Sequence, residues 1–238
     1  MKQISLASTG FALVTKTIRK RVFLGEMNRV VPWSRLVSSI EPFAASSTAG
    51  KGGHPPFPAQ TMLRIHFMQQ WFGLSDPAME EALHDVPLYC GFAGLDPGTT
   101  RLPHESTILR FRHLLEANDL GARLLAAVNA TLAAKGLMLR AGTVVDATLI
   151  ATPSSTKNSK AKRDPQRHQT KKGNQWHFDM KAPIGVDAES GLVHTVIGTA
   201  ANVHDVTQAH AFSMAMRLWC LPMAGYQGAA KQAEAGWA

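Results

Sequence analysis

Asp146 is the residue whose surroundings most need a chemical explanation. It stands in Thr143-Val144-Val145-Asp146-Ala147-Thr148-Leu149-Ile150, a β-branched, apolar run that reads as a strand. An ionised carboxylate in a buried strand is costly unless a cation or hydrogen-bond donors satisfy it. Three solutions are open: a divalent metal ion, backbone donors, or an arginine partner. Basic residues follow it in sequence. Eight Lys and Arg fall between positions 151 and 181, with Lys157, Lys171 and Lys172 among them, against Asp164 and Asp179. Such a stretch can neutralise nucleic-acid phosphates.

The whole chain has the same bias. Its 238 residues carry 25 Lys and Arg against 17 Asp and Glu, a net charge of +8. That balance favours a polyanion as partner, mainly nucleic acid or anionic membrane, and leaves a merely soluble basic protein open. Cys90 and Cys220 are far apart and form no CxxC pair, so neither a disulfide framework nor a thiolate metal site is indicated. No apolar run approaches the ~20 residues of a membrane span. The stretch Ile4–Val14 makes a poor secretory signal, because basic residues follow it rather than precede it. A reducing cytoplasm and no membrane partner are expected.

Elements must position these residues. A basic stretch, Lys16 to Arg21, reads as a solvated helix face or as a phosphate-contacting arm. Positions 44–56 read as a linker. Pro58 opens a helix with Met62, Ile65, His66 and Gln69 at spacings of three and four, closed by Gly73. Asp76 is the expected N-cap of the next helix, with Pro77 at its first position and Pro87 at its end. A loop spans 94–100. Ser106 is the expected cap of a third helix, Thr107–Leu115, with Ile108, Phe111 and Leu115 behind and Arg110, Arg112 and His113 in front. A short helix of this kind can enter a major groove. Leu120, Leu124, Val128 and Leu132 mark a fourth helix that stops at Gly136. From there the periodicity becomes strand-like. Positions 151–175 read as a polar stretch, and 176–187 and 192–200 as a hairpin around Ala188-Glu189-Ser190-Gly191, with Asp179 and Asp187 solvated. Asn202-Val203-His204-Asp205 reads as the start of a helix. The expected division is a helical half, 1–136, and an α/β half, 137–238.

The order of strand, basic loop and antiparallel hairpin is that of the opening of an RNase H-like domain. There a first-strand Asp holds Mg²⁺, a hard cation that prefers oxygen ligands. Longer motifs make the likeness specific. Asp146–Ile150, Pro153-Ser154-Ser155-Thr156-Lys157-Asn158 and His168-Gln169-Thr170-Lys171-Lys172-Gly173-Asn174-Gln175-Trp176 resemble transposases of the insertion-sequence-five type. Gly185-Val186-Asp187, Ser190–Thr195 and Ala201–Asp205 continue the resemblance. In the helical half it includes Thr61–His66, Leu74–Ala82 and Glu105–Arg112. The resemblance implies an α+β chain: an N-terminal helical DNA-binding region followed by an incomplete RNase H-like catalytic domain. It implies Mg²⁺-dependent cutting at terminal inverted repeats and joining of the freed ends to target DNA. Asp146 falls on the family's first catalytic and metal-binding Asp. Arg110, Arg112, Lys157, Lys171 and Lys172 are the candidate DNA contacts. A second copy or a full-length transposase is the protein partner it admits.

The sequence departs from the family at one decisive place. The family's second Asp opens an Asp-Ala-Gly-Tyr-Gln-Gly motif. Here Ala224-Gly225-Tyr226-Gln227-Gly228 is preceded by Met223, and 213–223 does not read as the expected strand. A thioether cannot replace a carboxylate for a hard cation. Read one base out of frame, codons permitted for 213–223 encode a polar turn, a strand and an Asp directly before Ala224. A one-base loss near codon 212 with a compensating gain near codon 223 is the expectation. The chain also stops at Ala238, before a segment that could carry the family's Glu, and is expected to be truncated. The alternative function is a non-catalytic DNA-binding remnant.

Overall fold

The computed structural model describes residues 18–44, 55–138, 142–150, 167–172, 174–203 and 220–222. The chain divides into two compact units, Met1–Val128 and Asn129–Ala238. The division falls inside a helix, eight residues before the expected boundary at Gly136. The described residues form an α+β chain of seven helices and six strands.

The helices are α1 (Arg19–Val30), α2 (Trp33–Ile40), α3 (Ala59–Phe72), α4 (Asp76–Asp85), α5 (Pro87–Ala93), α6 (Glu105–Ala117) and α7 (Leu120–Ala134). α3 is central to the first unit. Met62, Leu63, Ile65 and Met68 are all buried on it, so its apolar surface is too broad for a single stripe. Around it pack Leu36 and Ile40 of α2, Met79 and Leu83 of α4, and Ile108 and Leu115 of α6. Aromatic rings fill the gaps. Phe23 meets Trp71 edge-on at 5.3 Å, and Phe72 stacks on Tyr89 at 5.3 Å. Gly73 closes α3 with a φ of 63°, a left-handed turn that an L side chain resists.

Several local expectations are corrected. The cap of α4 is Ser75, whose Oγ accepts from the Ala78 N–H at 3.3 Å; Asp76 is already helical. The cap of α6 is His104, whose Nδ1 accepts from the Ser106 N–H at 3.2 Å. Pro87 does follow the end of α4, but it also opens α5, which the sequence reading lacks. Arg19 and Lys20 are exposed on α1, and Lys20 is engaged as well. Its ammonium lies 5.1 Å from the Phe72 ring centre and donates to the Tyr89 hydroxyl at 3.1 Å.

The strands are β1 (Thr143–Ile150), β2 (His168–Lys172), β3 (Gln175–Asp187), β4 (Val193–Val196), β5 (Thr199–Ala200) and β6 (Cys220–Pro222). The main path of the sheet runs β2-β3-β1-β6, with β4 and β5 also paired to β3. Every pairing is antiparallel except β1 with β6, which is parallel. β3 is shared. Its first five residues, 175–179, pair with β2 as a two-stranded ribbon, and from Met180 onward it pairs with β1.

β2 is a strand inside the stretch expected to be an irregular polar loop. The hairpin after β3 is found, but its second arm is broken into β4 and β5. Its tip is closed by bonds from the Asp187 N–H to the Leu192 carbonyl and from the Gly191 N–H to the Asp187 carbonyl, each 2.9 Å. A short strand, Cys220–Pro222, lies within the run that does not read as one. The expected helix after 202 and the segments around His204, Asp205 and Lys157 lie outside the described residues.

Candidate functional site

β1 positions Asp146 by its flanks. Thr143 and Val145 are fully buried, which anchors the strand. Asp146 is in register with Ile184 of β3. On its other edge β1 pairs with β6, Val144 beside Leu221 and Val145 beside Pro222. The described neighbours of Asp146 in the sheet are therefore apolar and bring no second carboxylate. Among the described residues no group of three or more His, Cys, Asp and Glu can hold a metal ion. The donor set described does not fit a two-metal centre, which needs several oxygen ligands around the ions.

Polar groups are nonetheless buried at the start of β1. His194 is 5% exposed. Gly185 pairs with Thr195 and Val186 with Val193, so His194 is the extra residue of a β-bulge. Its Nε2 lies 3.2 Å from the Thr143 hydroxyl and its Nδ1 2.7 Å from that of Thr195. Its carbonyl accepts from Asn129 Nδ2 at 2.9 Å. The bulge thus aims an imidazole at the first residue of the strand that carries Asp146. In the sequence His194 stands out only as part of the Ser190–Thr195 motif. A His in a short strand directly after a turn is too weak a signal to separate it from a surface residue.

Asp179 and Asp187, expected to be solvated, are 3% and 0% exposed. Asp187 folds back on its own turn, its Oδ1 accepting from the Glu189 N–H at 3.2 Å. A turn acid that caps its own turn leaves solvent, because the backbone donor takes the place of water.

The candidate DNA contacts separate into different settings. Arg110 is exposed on α6. With Arg101 it flanks a cavity of about 330 Å³, lined also by Phe57, Met62, Phe111 and Leu114 and by no carboxylate. Arg101 stacks its guanidinium 4.3 Å from the Phe57 ring centre. Arg112, two residues on, faces α4 instead. Its Nη2 donates to Asp76 Oδ2 at 2.8 Å, and Gln69 Nε2 donates to Asp76 Oδ1 at 2.9 Å. His66 lies beside this pair. Burial, then the nearby Arg112 charge, pushes its pKa down, partly opposed by Asp76 and Glu116. Lys171 is exposed on β2, in register with Trp176, and Lys172 pairs with Gln175 at the ribbon tip. Lys157 lies outside the described residues.

Arg64 lies within the Thr61–His66 motif. It is a clamp: its guanidinium donates to the Phe92 carbonyl at 2.6 Å and to Asn28 Oδ1 at 2.8 Å, and lies 4.8 Å from the Trp33 ring centre. Its burial lowers its pKa. Cys90 is likewise structural. Its thiol donates to the Leu83 carbonyl at 2.8 Å, and burial pushes its pKa up to about 11.

Among the described residues no helix is long and apolar enough to cross a membrane. No solved structure matches the chain. Residues 13–114 match the family described as a transposase domain, DUF772. Residues 138–222 match the family described as a transposase DDE domain, whose chemistry depends on divalent metal ions. The first match takes in α1 to α5 and most of α6, and the second takes in the six described strands. The chain belongs to the DDE transposases of insertion sequences, and its function is DNA transposition.

Proposed function

We propose that this transposase, of the insertion-sequence-five type, keeps the DNA-handling parts of its family but has an incomplete catalytic centre. The helical region binds terminal inverted repeats, and the sheet is the core of an RNase H-like domain in which Asp146 is the first catalytic carboxylate. Arg110, Lys157, Lys171 and Lys172 hold phosphates, with Arg112 contributing less because Asp76 already engages its charge. Mg²⁺ is the metal such a domain would use, since the family acid is a hard oxygen ligand. DNA transposition takes place where the DNA is, which supports a cytoplasmic location.

One observation carries the incomplete centre. β6 runs parallel to β1 and brings Pro222 beside Val145. In the sequence Met223 follows Pro222 as Asp146 follows Val145. The family's second carboxylate falls at position 223, and this chain has a thioether there, which does not replace a carboxylate for a hard cation. A non-catalytic DNA-binding remnant is the alternative that the same methionine favours.

The test is a strand-transfer assay with Mg²⁺ or Mn²⁺, combined with Mn²⁺ titration of Met223→Asp. The unmodified protein is expected to show no turnover. Met223→Asp should tighten Mn²⁺ binding about tenfold or more, and Asp146→Asn should remove that gain, because two carboxylates then share one ion. Robust turnover by the unmodified protein would sink the reading. Salt-sensitive retention of an inverted-repeat duplex supports the DNA-handling part, and its absence at low salt refutes that part.

A further inference from the structure

Transposition by itself assigns no task to the ring exposed on the β2–β3 ribbon. Trp176 is 68% exposed. A large apolar side chain left in water on a structured element marks a contact surface when charge and geometry around it agree on a partner. Both agree here. Trp176 is in register with Lys171, whose ammonium lies 6.0 Å from the ring centre. Residues 167–176 hold Arg167, His168, Lys171 and Lys172 and contain no Asp or Glu. In the described pairings, residues 175–179 of β3 are joined to β2 alone, so the ribbon continues past the pairing with β1.

We propose that the β2–β3 ribbon binds single-stranded DNA, stacking an unpaired base on Trp176 while Lys171 holds a flanking phosphate. The partner must be a polyanion, because the ribbon is basic and its one acid, Asp179 at the far end from the tip, is buried. It must also present a flat apolar face, because the indole is the ribbon's large exposed apolar group. An unstacked nucleotide has both features side by side. An intact duplex has the phosphates, but its base faces are covered by neighbouring pairs. Stacking of this kind tolerates sequence, since every base has a π-face. A lysine beside the ring adds attraction to both the phosphate and the ring itself.

The inference rests on the DNA-handling function, and its test separates the two. The full chain is titrated with a labelled oligothymidylate and with a labelled blunt duplex of the same length. Trp176→Ala is expected to weaken oligothymidylate binding about tenfold or more and to leave duplex binding within about twofold. Trp176→Phe keeps a stacking ring and should retain most of the affinity. Lys171→Ala should weaken both probes and flatten the salt dependence of both. Thermal melting of each variant checks that the fold survives.

Equal losses on both probes for Trp176→Ala, or no loss on oligothymidylate, would overturn the proposal. So would a change in the sedimentation mass of DNA-free protein with single-strand binding intact, which would give the ring to a second copy of the chain. Failure of the unmodified protein to bind either probe would refute the DNA-handling reading together with the proposal. Duplex binding without single-strand binding would refute the proposal alone.

Discussion

Replacing Arg110 and Arg112 one at a time separates two guanidinium groups that share a helix but not an environment. Arg112 donates to Asp76 at 2.8 Å, and the two side chains are 42% and 13% exposed. A charge-assisted hydrogen bond of this length contributes about 1.5–3 kcal/mol when well shielded. Exposed pairs contribute about 0.2–1 kcal/mol. Half-exposed Arg112 and nearly buried Asp76 fall between these limits. Arg112→Ala is therefore expected to cost about 1–2 kcal/mol of helical-unit stability, after discounting for solvent screening. For a chain of this size that lowers the melting midpoint by roughly 2–8 °C. Arg110→Ala removes an exposed side chain at a cavity rim and should stay within about 0.5 kcal/mol. The DNA readout is the reverse. Arg110→Ala should reduce the slope of log affinity against log salt by about one, the loss of one phosphate contact. Arg112→Ala should change that slope less. The assay is thermal melting with salt-series titration of an inverted-repeat duplex for both variants. An unchanged midpoint for Arg112→Ala, with a slope loss equal to that of Arg110→Ala, would refute the assignment.

Two predictions concern buried groups. His66 has a pKa held below its ordinary 6.5 by burial and then by Arg112. The unfolded chain therefore binds more protons than the folded one just below pH 6.5. Stability should rise with pH through that window and level off above it, and His66→Gln should flatten the rise in urea midpoints measured from pH 5 to 8; an unaltered profile would refute the role of His66. Cys90, with its pKa near 11 and its thiol bonded to Leu83, should react with a thiol reagent at pH 8 only after unfolding. A Cys220→Ser variant isolates its signal, and rapid labelling of the folded protein would contradict the burial.

What the sequence revealed and what it hid follow physical lines. β1 was legible because its β-branched run stands out against the helical periodicity before Gly136. α3 was legible from its spacing, although only packing shows how many of its faces are buried. The caps moved by one or two residues because Ser75 and Asp76, or His104 and Ser106, offer acceptors at neighbouring positions, and only local geometry chooses between them. α5 was hidden because seven residues are too few to hold a helix by propensity. Burial of Tyr89, Cys90 and Phe92 holds it. β2, His168–Lys172, has no apolar alternation, and its pairing with β3 makes it a strand. Asp146 stood out as a candidate by residue type and resemblance. The parallel strand that brings Pro222 beside its neighbour was not legible, because Met223 and the run before it carry no strand signal.

The unbroken course of β3 has a metric consequence. Gln175 lies at the ribbon tip, and nine residues along the same strand Ile184 pairs with Asp146. At ~3.3 Å per residue that span is about 30 Å. It matches about nine base pairs of B-form DNA at ~3.4 Å each, just short of a helical turn. β3 is thus a ruler. A DNA lying along it would meet the tip and the Asp146 position on nearly the same side of the double helix. One inserted residue in the strand would alter that phase by about a tenth of a turn and would also reverse the facing of every side chain beyond it.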